Sequence, residues 1–165
     1  MLPNPFKKSG QKGSYISDEN MNEEEIIKMA NYIVKQKMRK GQMISKPSDC
    51  QIYLQNILQE LPYESFGAIY LDQKNRIITY EILFRGTINH TSIYPRELVK
   101  NALLHNTSSV ILFHNHPSGD PSPSEEDLNV TQVIQSTLKL INIRLLDHLI
   151  IGVEGYESLA ELKII

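Results

Sequence analysis

His114 and His116 stand two residues apart at the end of the apolar run Val110-Ile111-Leu112-Phe113, and a stretch rich in proline, serine and glycine follows them. Alternate residues of an extended chain face the same side, so both imidazoles can address one point. Two metal ligands need that geometry. Asp127, expected in the first turn of the next helix, offers a third, hard ligand. Three protein ligands with one open position define a catalytic zinc site, whereas a structural site closes all four. Imidazole with carboxylate also suits other divalent metals, with zinc as the first expectation. Pro117, Gly119, Pro121 and Pro123 restrict the intervening loop and lower the entropy cost of holding a ligand set together.

Each of these residues also has a plainer reading. A single buried histidine is commonly a satisfied core residue. Ser124 and Asp127, three apart before an apolar helical run, form a capping pattern in which hydroxyl and carboxylate satisfy free backbone N–H groups. His90 and His105 lie in polar surroundings and are expected at the surface. His148 follows Asp147 in a buried strand, where an Asp–His hydrogen bond is the default expectation and support of a metal ligand the alternative. Hydrolysis at a metal further needs a group that moves protons. Glu64, just after Pro62 at the mouth of a strand, and Glu81, in mid-strand, are the candidates. The alternation Ile78, Tyr80, Ile82, Phe84 sends Glu81 to the opposite face, so it is expected to look into solvent.

The surrounding pattern must position these groups. Residues 1–20 are polar, carry Pro3, Pro5, Gly10 and Gly13, and predict a flexible tail. Asn22 and Glu25 form a capping pair for a helix to about Lys40, within an N-terminal helical segment 21–44. Ile26, Ile27, Ala30, Ile33 and Val34 recur there at helical spacing, and Gly41 suits the stop. A second helix begins near Ser48, carries Tyr53, Leu54, Ile57, Leu58 and Leu61, and closes at Pro62. Residues 65–72 and 76–86 predict an antiparallel hairpin. Pro95 opens a helix through about His105, with Leu98, Val99, Ala102 and Leu103 on one face. Residues 108–114 predict a strand buried on both faces, 124–140 a helix with Leu128, Val130, Val133, Ile134 and Leu138 toward the core, and 143–152 another strand. Strands and helices interleave around a small sheet, which gives an α/β class with a mixed sheet.

Composition narrows the function. A chain of 165 residues with 41% hydrophobic and 22% charged residues reads as one globular domain. A formal net charge of −2 provides no overall basic excess to draw it to nucleic acid or an anionic membrane. Cys50 is alone, so neither an internal disulfide nor a cysteine-rich zinc site is open to it. No apolar run approaches the roughly 20 residues that span a bilayer, and the N-terminus lacks a signal-peptide core, so a cytoplasmic protein is expected.

The order Glu64, His114-x-His116, seven residues (117–123), Ser124, two residues, Asp127 resembles the JAMM motif of the JAB/MPN metalloproteases. More narrowly, "YLDQKNRII", "GTINHTSIYPRELVKNAL", "VILFHNHPSGDPSPSEED" and "IRLLDHLIIG" are similar to the RadC-like JAB domain, over about residues 45–158. The resemblance implies a JAB/MPN domain of cytidine-deaminase-like architecture, taken as 45–165, with helices on both sides of the sheet. It implies one zinc per chain held by His114, His116 and Asp127, with water as fourth ligand. Glu64 would take a proton from that water and pass it to the leaving amine, and Ser124 would steady the oxyanion. The substrate would be a peptide or protein. Full-length RadC-like proteins also carry a DNA-binding helix-hairpin-helix segment, and residues 1–44 show no Gly-x-Gly hairpin, so weak, non-specific DNA binding at most is expected.

Other functions fit less well. HNH nucleases spread their three residues over a longer unit, and phosphate neutralisation calls for clustered Lys and Arg. Nucleoside deaminases need H-x-E and a later P-C-x-x-C, which a lone Cys50 cannot supply. A DNA-repair factor and a non-catalytic JAB scaffold stand as alternatives. Scaffold versions typically lack ligands, whereas this chain keeps all five motif positions.

Overall fold

The structure is a computed structural model, and it describes residues 3, 5–11, 13–58, 61–86 and 93–165. Within the polar N-terminal segment, strands β1 (Lys7–Lys8) and β2 (Tyr15–Ile16) form a two-residue antiparallel ladder around Gly13, whose φ of +80° suits a turn. Helix α1 (Glu23–Lys37) starts at the expected capping box between Asn22 and Glu25 and ends at Met38. Its buried side chains are Met29, Val34 and Met38, while Ile26 and Ile27 are half exposed. Of the expected apolar face only Val34 is buried. Val34 and Met38, four residues apart, join the cluster that holds Leu54 and Leu58 of the second helix.

Helix α2 (Ser48–Leu58) buries Cys50, Tyr53, Leu54 and Leu58. Strands β3 (Ser65–Leu71) and β4 (Ile77–Arg85) form the expected antiparallel hairpin. Helix α3 (Pro95–Leu104), strand β5 (Ser109–Asn115), helix α4 (Glu125–Leu140) and strand β6 (Arg144–Gly152) follow the expected order. A last strand, β7 (Gly155–Ser158), was not expected; at four residues it is too short and too polar to stand out. The five strands lie in the order β4-β3-β5-β6-β7, with β5 and β6 parallel and the other pairs antiparallel. This is the α/β class with a mixed sheet flanked by helices.

One face of the sheet packs under α1 and α2, through Val34, Met38, Leu54, Leu58, Ile69, Phe113 and Leu149. The other packs under α3 and α4, through Phe66, Tyr70, Leu98, Leu112, Ile134 and Leu138. Every residue of β5 is buried, as a central strand between two helical layers requires. Its last residues therefore emerge from a rigid core. On the outer surfaces of α3 and α4, Leu103 and Val133 are more than half exposed, so each expected face was one residue too wide. Among the described residues no helix is long and apolar enough to cross a membrane.

Candidate metal centre

Strand β5 ends with His114 and Asn115, and the chain turns immediately after. The His116 N–H donates to the Ile151 carbonyl of β6 at 2.8 Å, and the Gly119 N–H closes a turn on the His116 carbonyl at 3.0 Å. Gly119 has φ +93°, a conformation that L side chains avoid. Gly152 completes the seat: a Cβ there would lie 2.1 Å from the Gly119 carbonyl oxygen, so only glycine lets the loop lie on β6. The loop then feeds α4, whose N-cap is Ser124 in a full capping box with Asp127. The two local readings of Ser124 and Asp127 coexist, because the cap holds Asp127 facing the histidines.

His114, His116 and Asp127 form a group whose ligand atoms all lie within 4.8 Å of one another. The His114 and His116 Nε2 atoms are 3.0 Å apart, His114 Nε2 is 3.0 Å from Asp127 Oδ1, and His116 Nε2 is 3.3 Å from Asp127 Oδ2. Ligands of a tetrahedral zinc at about 2.0–2.1 Å would be spaced by roughly 3.3 Å. The triangle thus has the dimensions of one face of such a site, and these three residues could hold a metal ion.

The tautomers of both histidines are set from outside this triangle. The Thr131 hydroxyl sits 2.5 Å from the Asp127 carbonyl, which can only accept, so the hydroxyl proton is spent there. Its oxygen, 2.6 Å from His148 Nδ1, must then accept from that nitrogen. His148 Nε2 is left with a lone pair, and at 2.8 Å it accepts from His114 Nδ1. His114 Nε2 accordingly carries a lone pair toward Asp127 and His116. His116 reaches the same state independently, because its Nδ1 donates to the Asp120 carbonyl at 2.8 Å. Two lone pairs 3.0 Å apart and a carboxylate beside them cannot rest together without a cation. In the absence of a metal that cation is a proton.

The electrostatics agree. The hydrogen bond to Asp127 holds the His116 imidazole above its ordinary value against the opposing effect of burial, and the Glu64 charge adds to the rise. Burial alone would raise the Asp127 carboxyl, but hydrogen bonds from His114 and His116 hold it far below the usual carboxylate range. His148 is pushed well below its ordinary value by burial and by the neighbouring His114 charge, and so stays neutral in its relay. The Phe66 ring stacks on His114 at 6.1 Å and meets His148 edge-on at 5.5 Å, which excludes water from that side.

The other candidates divide. Glu64, at the mouth of β3, lies near enough for its charge to act on His116. Ser124 Oγ accepts from the Asp127 N–H at 3.1 Å and donates to Asp127 Oδ2 at 2.5 Å, so its one proton is engaged in the cap. Glu81 looks only partly into solvent, its side chain being 36% exposed. Its carboxylate accepts from Asn101 Nδ2 at 3.0 Å and contacts His105 Nε2 at 3.1 Å, because α3 covers that face of β4. His105 is correspondingly only partly at the surface: its side chain is 25% exposed. His90 lies outside the described residues.

Asp147 does not bond the His148 ring either. Adjacent strand residues point to opposite faces, and Asp147 instead accepts from the His148 and Ala160 backbone N–H groups and the Ser158 hydroxyl. Thr131 and Asn115 were not singled out from sequence. Thr131 is a helix residue whose partner lies 17 positions away, and Asn115 reads as a spacer between the histidines.

Comparison with known proteins covers most of the chain. Residues 44–164 match the RadC-like JAB domain. A UPF0758 protein of Janthinobacterium sp. (strain Marseille) is 45% identical over 136 residues, 82% of this chain and 61% of the relative. A UPF0758 protein of Herminiimonas arsenicoxydans is 44% identical over the same share of each. One of Pseudomonas syringae pv. syringae is 41% identical over 127 residues, 77% of this chain and 57% of the relative. The aligned part of the chain thus spans about three fifths of the length of these relatives. The five-stranded mixed sheet and its helices accord with a JAB/MPN-type fold.

Proposed function

The chain belongs to the RadC-like JAB domain family, and from that premise we propose that it is a zinc-dependent hydrolase of peptide or isopeptide bonds, with one zinc per chain held by His114, His116 and Asp127. The observation that carries the reading is the pair of fixed tautomers. Two separate relays, one through His148 and Thr131 and one through the Asp120 carbonyl, spend both Nδ1 protons and turn both Nε2 lone pairs to one point beside a carboxylate. A zinc held by these residues would supply Lewis acidity, the property that lets a bound water ionise near about pH 7.

The residues around that point divide the remaining work. Cleavage of an amide breaks the C–N bond, joins the oxygen of water to the carbonyl carbon, and leaves a water proton on the departing nitrogen. Glu64 would carry that proton, since its charge reaches His116 and it does not belong to the ligand group. Ser124 reaches the role of oxyanion donor by turning its hydroxyl away from Asp127, leaving Asp127 held by the Ser124 N–H at 2.8 Å. Phe66 and the buried end of β5 keep the site dry on one side, where fixed dipoles act most strongly.

The test is metal analysis joined to turnover on internally quenched peptides and an isopeptide-linked lysine probe. Purified protein should carry close to one zinc, and His114→Ala or His116→Ala should lose it. Glu64→Gln should keep zinc and lose roughly 10²–10⁴ in rate. Stoichiometric zinc in the double histidine variant, or full turnover by Glu64→Gln, would remove the basis of the reading.

A further inference from the structure

We infer that Asn115, the residue between the two histidines, is a positioning residue that fixes the backbone on both sides of Glu64. The inference rests on the acid–base role proposed for Glu64. Alternation along β5 sends His114 and His116 one way and Asn115 another, so the asparagine is not placed to join the ligand group. It is nonetheless almost wholly buried, at 1% exposure.

The place of its amide in the sheet explains why. The ladder between β3 and β5 ends at the pair Phe66 and His114. One step further, the Asn115 side chain takes the part of a peptide group. Its Oδ1 accepts from the Ser65 N–H at 2.8 Å, and its Nδ2 donates to the Tyr63 carbonyl at 3.1 Å. The two bonded groups belong to the residues immediately before and after Glu64. From the other side, the Glu64 carbonyl accepts from the Gly86 N–H at 2.8 Å. Arg85 also lies over the Tyr63 ring at 5.9 Å.

Residues 61–64 belong to no helix or strand, and on the β5 side they lack the ladder that holds β3. Only a side chain with a donor and an acceptor on one rigid amide can replace that missing rung. Strand β5 thereby sets both halves of the site at once. Its histidines fix where the metal ligands point, and the asparagine between them fixes how far away Glu64 stands. Displacement of a reacting group by about 1 Å can cost on the order of 10² in rate.

The test uses Asn115→Ala and the milder Asn115→Thr, which keeps one hydrogen-bonding group, in the full chain. Zinc affinity, read by competition with a chromophoric chelator, should stay within about threefold, since no ligand is touched. Amide exchange at Ser65 should quicken at least about tenfold, with Phe66 little changed because its ladder bonds remain. On a peptide that wild type cleaves from a quenched library, kcat should fall roughly 10²-fold with KM unchanged. Added to Glu64→Gln, the same substitution should cost no further rate, as expected for two residues acting as one unit. An unaltered Ser65 exchange rate in Asn115→Ala, or a fully additive loss in the double variant, would overturn the inference. Full activity in Glu64→Gln alone would instead sink the role of Glu64, while the exchange measurement would still score the clamp.

Discussion

Replacing Thr131 by valine deletes one hydroxyl from a buried helix position 17 residues from His148 in the chain, and it should weaken metal binding without removing a ligand atom. In the native relay the Thr131 hydroxyl donates to the Asp127 carbonyl and accepts from His148 Nδ1. Valine leaves that N–H buried without an acceptor, a cost of about 1–3 kcal/mol. His148 can avoid the cost by moving its proton to Nε2. That nitrogen then donates to His114 Nδ1, and the His114 proton must shift to Nε2, where a metal would bind. A metal would have to displace it. The penalty therefore passes from stability to affinity, and zinc affinity should fall about 10–100-fold, the usual cost of losing such a support. That range equals about 1.4–2.7 kcal/mol, which overlaps the cost of the unpaired donor.

Chelator competition measures the affinity, and ¹⁵N correlation spectra of the imidazoles read the tautomers directly. Thr137→Val is the control, because Thr137 makes the same bond to the carbonyl four residues back, at 2.7 Å, on the exposed side of α4. It should leave affinity unchanged. Equal zinc affinity in Thr131→Val and wild type, or a wild-type His148 protonated at Nε2, would refute the relay.

Other consequences are open to measurement. The raised His116 value means that zinc must displace a proton at and somewhat above pH 6.5, so affinity should fall on acidification from a higher pH than a free histidine would give. In metal-free protein the His116 contribution to stability is fully present below about 6.5 and lost as pH rises through the raised value, while that of Asp127 is lost only as pH falls well below 3.8. Thermal melts with chelator should accordingly peak between those limits, and zinc should remove the loss on the alkaline side; a flat profile with chelator would contradict the shared proton. Ser124→Ala should lower stability by about 0.5–2 kcal/mol through the cap, and turnover on the cleaved peptide will show whether roughly 10²–10³ in rate goes with it while zinc stays bound. Glu81→Gln should cost at most about 1 kcal/mol and leave zinc content unchanged, since its partners are Asn101 and His105; loss of metal would place Glu81 in the site after all.

The features legible in the sequence are those encoded at short range. The capping pairs Asn22–Glu25 and Ser124–Asp127 and the His114-x-His116 spacing each depend on neighbours a few residues apart, and each has the expected form in the structure. What escaped reading depends on which elements cover one another. Alternation assigned Glu81 to the face opposite Tyr80, but only the placement of α3 decides that the carboxylate there meets Asn101 and His105 and not water alone. Asp147 and His148 are neighbours in sequence and strangers in space, because one strand step turns them to opposite sides. The same consideration bears on the chemistry. A sequence can show that two histidines might share a metal, yet not which nitrogen of each is free to bind it. That choice is made at a distance, by acceptor-only carbonyls of Asp127 and Asp120 that force each proton in turn to face outward. The residues that pass the constraint along, Thr131 and His148, touch no metal, and the ligand state of His114 is as much theirs as its own.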